Sequence, residues 1–253
     1  MIKFFRKIRQ NLLSEGNTGK YLKYAIGEII LVVIGILIAL QINNWNESQK
    51  SARQEKTYYC KIAEDLQVDI QNIDSSLVTL DTRLENTERF LKALLKTPND
   101  KQDIFKYFIP TFRHYKFIPT KPAIIDITSS GKLETLRNQT LKNRILSHYT
   151  EQENALQIIA VNEKGHYDKF LEIENYSDFG IQEIPEYQNI FDEELQGLLS
   201  SRQWQQNPKN EFFVKIMDVM LFAVIINSRE KQLLKDIKAD AIVLTGLLVE
   251  NCN

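Results

Sequence analysis

Residues 23–47 read KYAIGEIILVVIGILIALQINNWNE, and from Ala25 to Ile42 the only ionisable side chain is Glu28. At about 1.5 Å of rise per residue, a helix over those positions spans roughly 27 Å, close to the hydrocarbon thickness of a bilayer. A soluble core helix carries a polar stripe, and IILVVIGILIAL has none at any period. Lys20, Tyr21, Lys23 and Tyr24 on one side and Trp45 on the other suit a membrane–water interface. The expectation is a transmembrane helix.

A cleaved secretion signal is the rival reading. Its apolar region runs about 7–15 residues and ends at a small-x-small site. Here the run is longer and leaves through IALQINNWNE without that pattern, so an uncleaved signal anchor is expected. Lys3, Arg6, Lys7, Arg9, Lys20 and Lys23 precede the segment against Glu15 alone, and the flank beyond it is more balanced. The positive excess puts the N-terminus in the cytoplasm and the C-terminal part outside it. In MIKFFRKIRQNLL, Ile2, Phe5, Ile8 and Leu12 interleave with basic residues. That pattern reads as a short helix on anionic headgroups or as a solvated tail serving orientation alone. The expected division is a basic cytoplasmic segment over 1–23, a membrane helix over 24–45 and a periplasmic domain over 46–253.

The block from MIKFFRKIRQNLL through KYLKYAIGEIILVVIGILIALQINNWNE, with SSGKLETLRNQTLKNRILSHY further on, resembles a family of single-pass proteins of Gram-negative bacteria whose shared domain has no known function. The resemblance implies an inner-membrane anchor and a periplasmic helical domain. It supplies no activity, ligand or catalytic residue.

Beyond the anchor lie about 200 residues, enough for one sizeable domain or two small ones. The chain has 32 basic and 33 acidic residues, but the part after Glu28 is mildly acidic, and no cluster of Lys and Arg suggests nucleic acid. All six prolines fall between Pro98 and Pro208. The proline-free flanks carry heptad spacing, the pattern of a coiled coil. Ala63, Ile70, Leu77, Leu84 and Leu91 interleave with Leu66, Ile73, Leu80, Thr87 and Leu94. Phe213, Met220, Asn227, Leu234, Ala241 and Leu248 pair with Ile216, Ala223, Ile237 and Leu244. Two long antiparallel helices are therefore expected to bracket an all-α bundle.

Between them, KQDIFKYFI reads as a short helix and PTFRHYKFIPTKP as an extended connector. PAIIDITSSG is a helix with proline in its first turn and Gly131 at C′. Asn138 caps a third long helix with Leu141, Ile145, Tyr149, Leu156 and Ile159 inward. A further helix is expected over about 186–203 with Ile190, Leu195 and Leu199 inward.

Catalytic signatures are missing: there is no G-x-G-x-x-G, phosphate loop, H-E-x-x-H, G-x-S-x-G or C-x-x-C. His114, His148 and His166 lack ligand spacing, so no metal or other cofactor is implied. The sharper signal is aromatic. Phe105, Phe108, Phe112, Tyr115 and Phe117 either line a ligand pocket or plug the end of the bundle. In the membrane segment, Gly27, Gly35 and Ala39 share a face on which two helices can approach closely. Glu28 is an intramembrane acid, of functional use or simply near enough to the interface to reach water. Antiparallel packing of the outer helices brings Cys60 and Cys252 together, as a disulfide or as two separate thiols.

The function expected from this is a non-enzymatic interaction or sensory module anchored in the inner membrane. Its partners are the lipid bilayer and either other envelope proteins or a second copy. A scaffold for an envelope complex and a membrane-surface enzyme are the alternatives.

Overall fold

The computed structural model describes residues 18–96, 101–113, 115–174, 180–184, 187, 189–199 and 211–252. Residues 1–17 of the basic segment, His114 and all of 200–210 lie outside those residues. Among the described residues the structure is helical, with no strand. In chain order the α-helices are α1 (Thr18–Leu95), α2 (Lys101–Phe112), α3 (Pro122–Ser129), α4 (Gln139–Leu171), α5 (Glu193–Leu198) and α6 (Glu211–Cys252). The chain divides into two compact units, Met1–Lys56 and Thr57–Asn253, and α1 contributes to both.

In the first unit the apolar side chains from Ile29 to Ile42 are exposed, Leu31 by 70%. Among the described residues of this unit, none packs over them. Among the described residues, α1 is the one helix long and apolar enough to cross a membrane, with a window of mean hydropathy 2.6.

The second unit is built on three long stretches of helix: α1 from Thr57, α4 and α6. The heptad rows of α6 are buried throughout, from Phe213 to Leu248. On α1 the row Leu66, Ile73, Leu80, Thr87, Leu94 is buried as expected. Its partner row is buried as expected only at Ala63. Beyond it, Asp69, Arg83 and Phe90, in register with buried Ile62, are buried, while Ile70, Leu77, Leu84 and Leu91 are only partly so. Two charged residues in the inner row conceal it from any search for apolar periodicity.

The apolar core forms three clusters. One gathers Tyr59, Ile62, Leu66, Ile124, Ile127, Ile145, Leu244 and Leu248. The next holds Ile73, Leu80, Phe117, Ile159, Leu234 and Ile237. The last holds Phe90, Leu94, Ile104, Phe105, Phe108, Phe213, Ile216 and Met220.

Local chemistry sets the connections. Pro110 lies inside α2, which runs on to Phe112 instead of giving way to an extended segment. Proline's fixed φ suits a helix, and its cost is one lost hydrogen bond and a crowded carbonyl. α3 begins at Pro122 and is followed by Gly131 at φ 69°, a left-handed position that glycine takes without a Cβ penalty. The Asn138 side chain accepts from the Leu141 N–H at 3.0 Å and starts α4. Residues 186, 188 and 200–203 of the helix expected over 186–203 lie outside the described residues; within the rest, α5 holds Glu193–Leu198 and is opened by Asp192, whose side chain caps the Leu195 N–H. Ile190, in the turn before α5, and Leu195 within it are exposed, 69% and 40%, against the expectation that they face inward.

Candidate functional site

Buried polar side chains divide the core at three levels. At the first, two aspartates of α1 act on the backbone of the connector before α3. Asp69, fully buried, accepts from the Thr120 N–H at 2.6 Å and from Gln152 Nε2 at 3.1 Å. Asp65 accepts from the Ala123 N–H at 2.9 Å. Lys121, at the N-cap of α3, offers no side-chain cap, so α1 satisfies an orphan donor of that helix from outside. Burial pushes the Asp65 carboxyl above its ordinary value and the Asp69 charge adds to this, against the opposing Ala123 hydrogen bond. The Tyr149 hydroxyl, buried beside both acids, has no hydrogen-bond partner among the described residues. Burial first, and then the charges of Asp65 and Asp69, push its ionisation well above the ordinary range.

At the second level, His148 Nδ1 lies 2.6 Å from Asp240 Oδ2, and Arg144 grips the same carboxylate with both terminal nitrogens. Burial disfavours the Asp240 charge, but hydrogen bonds from Arg144 and His148 outweigh it and hold the carboxyl below its usual range. His148 Nε2 is buried without a partner among the described residues. A cavity of about 170 Å³ adjoins, lined by His148, Glu151, Gln152, Leu233, Asp236 and Asp240.

The third level crosses all three helices. Arg83 of α1 and Glu230 of α6 form a buried ion pair at 3.3 Å, their side chains 2% and 6% exposed. Thr87, His166 and Asn227 are also buried, His166 against Phe112 and Phe222. Burial lowers the Arg83 pKa, and the Glu230 and Glu163 charges work against that loss.

A larger concavity, about 480 Å³, lies between the end of α4 and the start of α6. Ile173, Val219, Phe222 and Ile225 line it, with Lys169, Glu172, Lys215 and Asp218 at its edges. Among the described residues no three His, Cys, Asp or Glu side chains converge as metal ligands.

The five aromatic residues singled out in the sequence do not come together. Phe105 and Phe108 are buried in one cluster, with Phe112 packed on it 5.0 Å from Phe108 and stacked at 5.5 Å on His166. Phe117 is buried in a different cluster, and Tyr115 is 60% exposed. Gly27 and Gly35 face open space, since a Cβ on either meets nothing within 4 Å. Ala39 is likewise exposed, and Glu28 is half-buried. Cys60 and Cys252 form a disulfide with a Cα–Cα distance of 5.2 Å.

Asp69, Arg83, Asp240 and Glu230 escaped sequence reasoning because charges on a helix read as a solvated face by default. One signal was available. Asp69 and Arg83 fall at heptad spacing from Ile62 and Phe90, and Glu230 fills the one gap between Ala223 and Ile237.

Residues 28–180 match a family described as a family of unknown function, DUF6090. No curated protein and no solved structure matches the chain.

Proposed function

The chain belongs to that family of unknown function, and we propose that it is a membrane-anchored interaction or sensory module with no catalytic activity of its own. The segment 24–45 is the anchor, the N-terminus is cytoplasmic, and the helical domain from about residue 46 onward occupies the periplasm of a Gram-negative cell. The observation that carries this reading is the exposed apolar surface from Ile29 to Ile42, interrupted by Gln41 alone. Water cannot solvate that much hydrocarbon cheaply, and a bilayer can. The Cys60–Cys252 disulfide supports an oxidising compartment.

The outer helices pair antiparallel. Supporting this, Asp81 meets Lys231 and Asp74 meets Lys238, so seven residues back along α1 is seven residues forward along α6. The disulfide continues the same register at Cys60 and Cys252.

The polar groups support binding over chemistry. His148 and Asp240 resemble a general-base pair, but the nitrogen that would face a substrate is sealed in the core. Asp65 and Asp69 are occupied in holding backbone N–H groups. Partners are the bilayer and either other envelope proteins or a second copy meeting through Gly27, Gly35 and Ala39. The test is in-cell crosslinking followed by purification in mild detergent. A defined partner, lost when residues 57–253 are replaced by an unrelated domain, is expected. A substrate turned over by the purified chain, with the turnover abolished by a point substitution, overturns it.

A further inference from the structure

We propose that the concavity between the end of α4 and the start of α6 is a binding site for a small amphiphilic cation, an amine carried on an aromatic or alkyl body. The proposal rests on the sensory form of the reading above and supplies the class of ligand which that reading lacks.

The lining is mostly apolar. Ile173 and Val219 are buried members of one core cluster, and the half-buried Phe222 lines the same space. Leu221 and Ile225 line it too, although they are 47% and 65% exposed. A volume of about 480 Å³ falls among small-molecule sites, which run about 300–1,000 Å³. Hydrocarbon left facing water at the wall of a concavity gives an apolar body a place to be buried.

Charge selects the sign of the ligand. Four ionisable side chains edge the concavity: Lys169, Glu172, Lys215 and Asp218. Both lysines are engaged. Lys215 pairs with Glu211 at 2.9 Å, and the Glu174 charge acts on it as well. The Lys169 ammonium lies 5.5 Å from the centre of the Phe222 ring. The Glu172 and Asp218 carboxylates have no ion-pair or hydrogen-bond partner among the described residues. The end of α4 adds to the same field, since it closes at Leu171 beside the concavity and the carbonyl end of a helix is partially negative. The opposing, positive end of α6 contributes less: its first turn begins at Glu211, outside the lining. An anion here meets two uncompensated carboxylates, a neutral body leaves them unanswered, and an ammonium satisfies them.

The experiment is isothermal titration of the full chain in lipid nanodiscs, with the signal of empty nanodiscs subtracted. Three probes share one body and differ in the head group: phenylbutylamine, phenylbutanol and phenylbutyrate. The amine is expected to bind about five- to tenfold more tightly than the alcohol, and the carboxylate more weakly than either. Asp218→Asn and Glu172→Gln should each weaken the amine about threefold and leave the alcohol unchanged. Ile225→Arg sets a fixed cation at the wall and should weaken the amine at least about tenfold. All three positions are exposed, so the urea midpoint should stay where it is. Equal binding of the three probes overturns the proposal, as does tightest binding of the carboxylate or no binding at all. So does an amine preference that survives both carboxylate substitutions. A chain that binds none of the probes yet still crosslinks to a defined partner separates the failure of this site from failure of the interaction reading.

Discussion

Replacing Cys60 and Cys252 together by serine removes a cross-link between residues 192 positions apart. In the chain-entropy account, closing a loop of that length withholds conformational freedom from the unfolded state worth about 5 kcal/mol. Native disulfides of small extracytoplasmic domains return about 2–5 kcal/mol in practice, because unfolded chains keep residual structure. The folded state loses little on substitution. Both cysteines are only half-buried, and the neighbouring cluster around Tyr59, Ile62 and Leu248 is sealed by other side chains. The measurement is urea unfolding of the full chain in detergent micelles, followed by circular dichroism, for the oxidised protein and for the double serine variant. The account predicts a loss of about 2–5 kcal/mol with the far-UV spectrum unchanged. Reduction of the wild type should reproduce it. A loss under about 1 kcal/mol refutes the reasoning, since a bond closing most of the chain would then be constraining an ensemble that was already closed.

Asp69→Ala leaves the Thr120 N–H and the Gln152 amide buried without an acceptor, and should cost about 1–3 kcal/mol by the same urea assay; Asp69→Asn, which keeps one acceptor, should cost less. Tyr149→Phe removes a buried hydroxyl that bonds to nothing and should leave the melting temperature equal or higher; a marked fall would mean that the hydroxyl has a partner. Asp240 is held below the ordinary carboxylate range, so its contribution is complete above its unfolded pKa of about 4 and drains away as the pH falls through the lower native value. Asp240→Asn should therefore flatten the acid limb of a stability-versus-pH curve, and an unchanged limb would count against the Arg144 and His148 bonds. Gly35→Ile puts a side chain into open space, so the urea midpoint should stay fixed while self-association in a membrane two-hybrid assay falls; an unchanged association signal removes Gly35 from any helix–helix contact.

Legibility followed the chemistry of each segment. The apolar run before Trp45 and the two rows of α6 were plain because hydrocarbon at a fixed period reports a helix face directly. Gly131 and Asn138 were equally readable, since a left-handed turn and an N-cap each demand particular side chains. Beyond Ala63, which is buried as expected, the inner row of α1 was read one residue out of place. Asp69 and Arg83 are buried by partners on other elements, and no local pattern announces a Thr120 N–H or a Glu230 carboxylate arriving from elsewhere in the chain. The same limit applies to the aromatic residues. Their density between Phe105 and Phe117 marked an apolar region correctly, but periodicity carries no information on which cluster each ring enters. Pro110 was read as a helix end, and the structure keeps it inside α2, two residues before the helix stops at Phe112.

The most direct test of the anchored, outward-facing arrangement is a phosphatase reporter, active only when exported, fused after Asn253 and assayed in intact cells. High phosphatase activity from a membrane-bound fusion that still begins at Met1 is the predicted result. An inactive fusion, or an active one released into the soluble fraction after cleavage near Leu40, contradicts it.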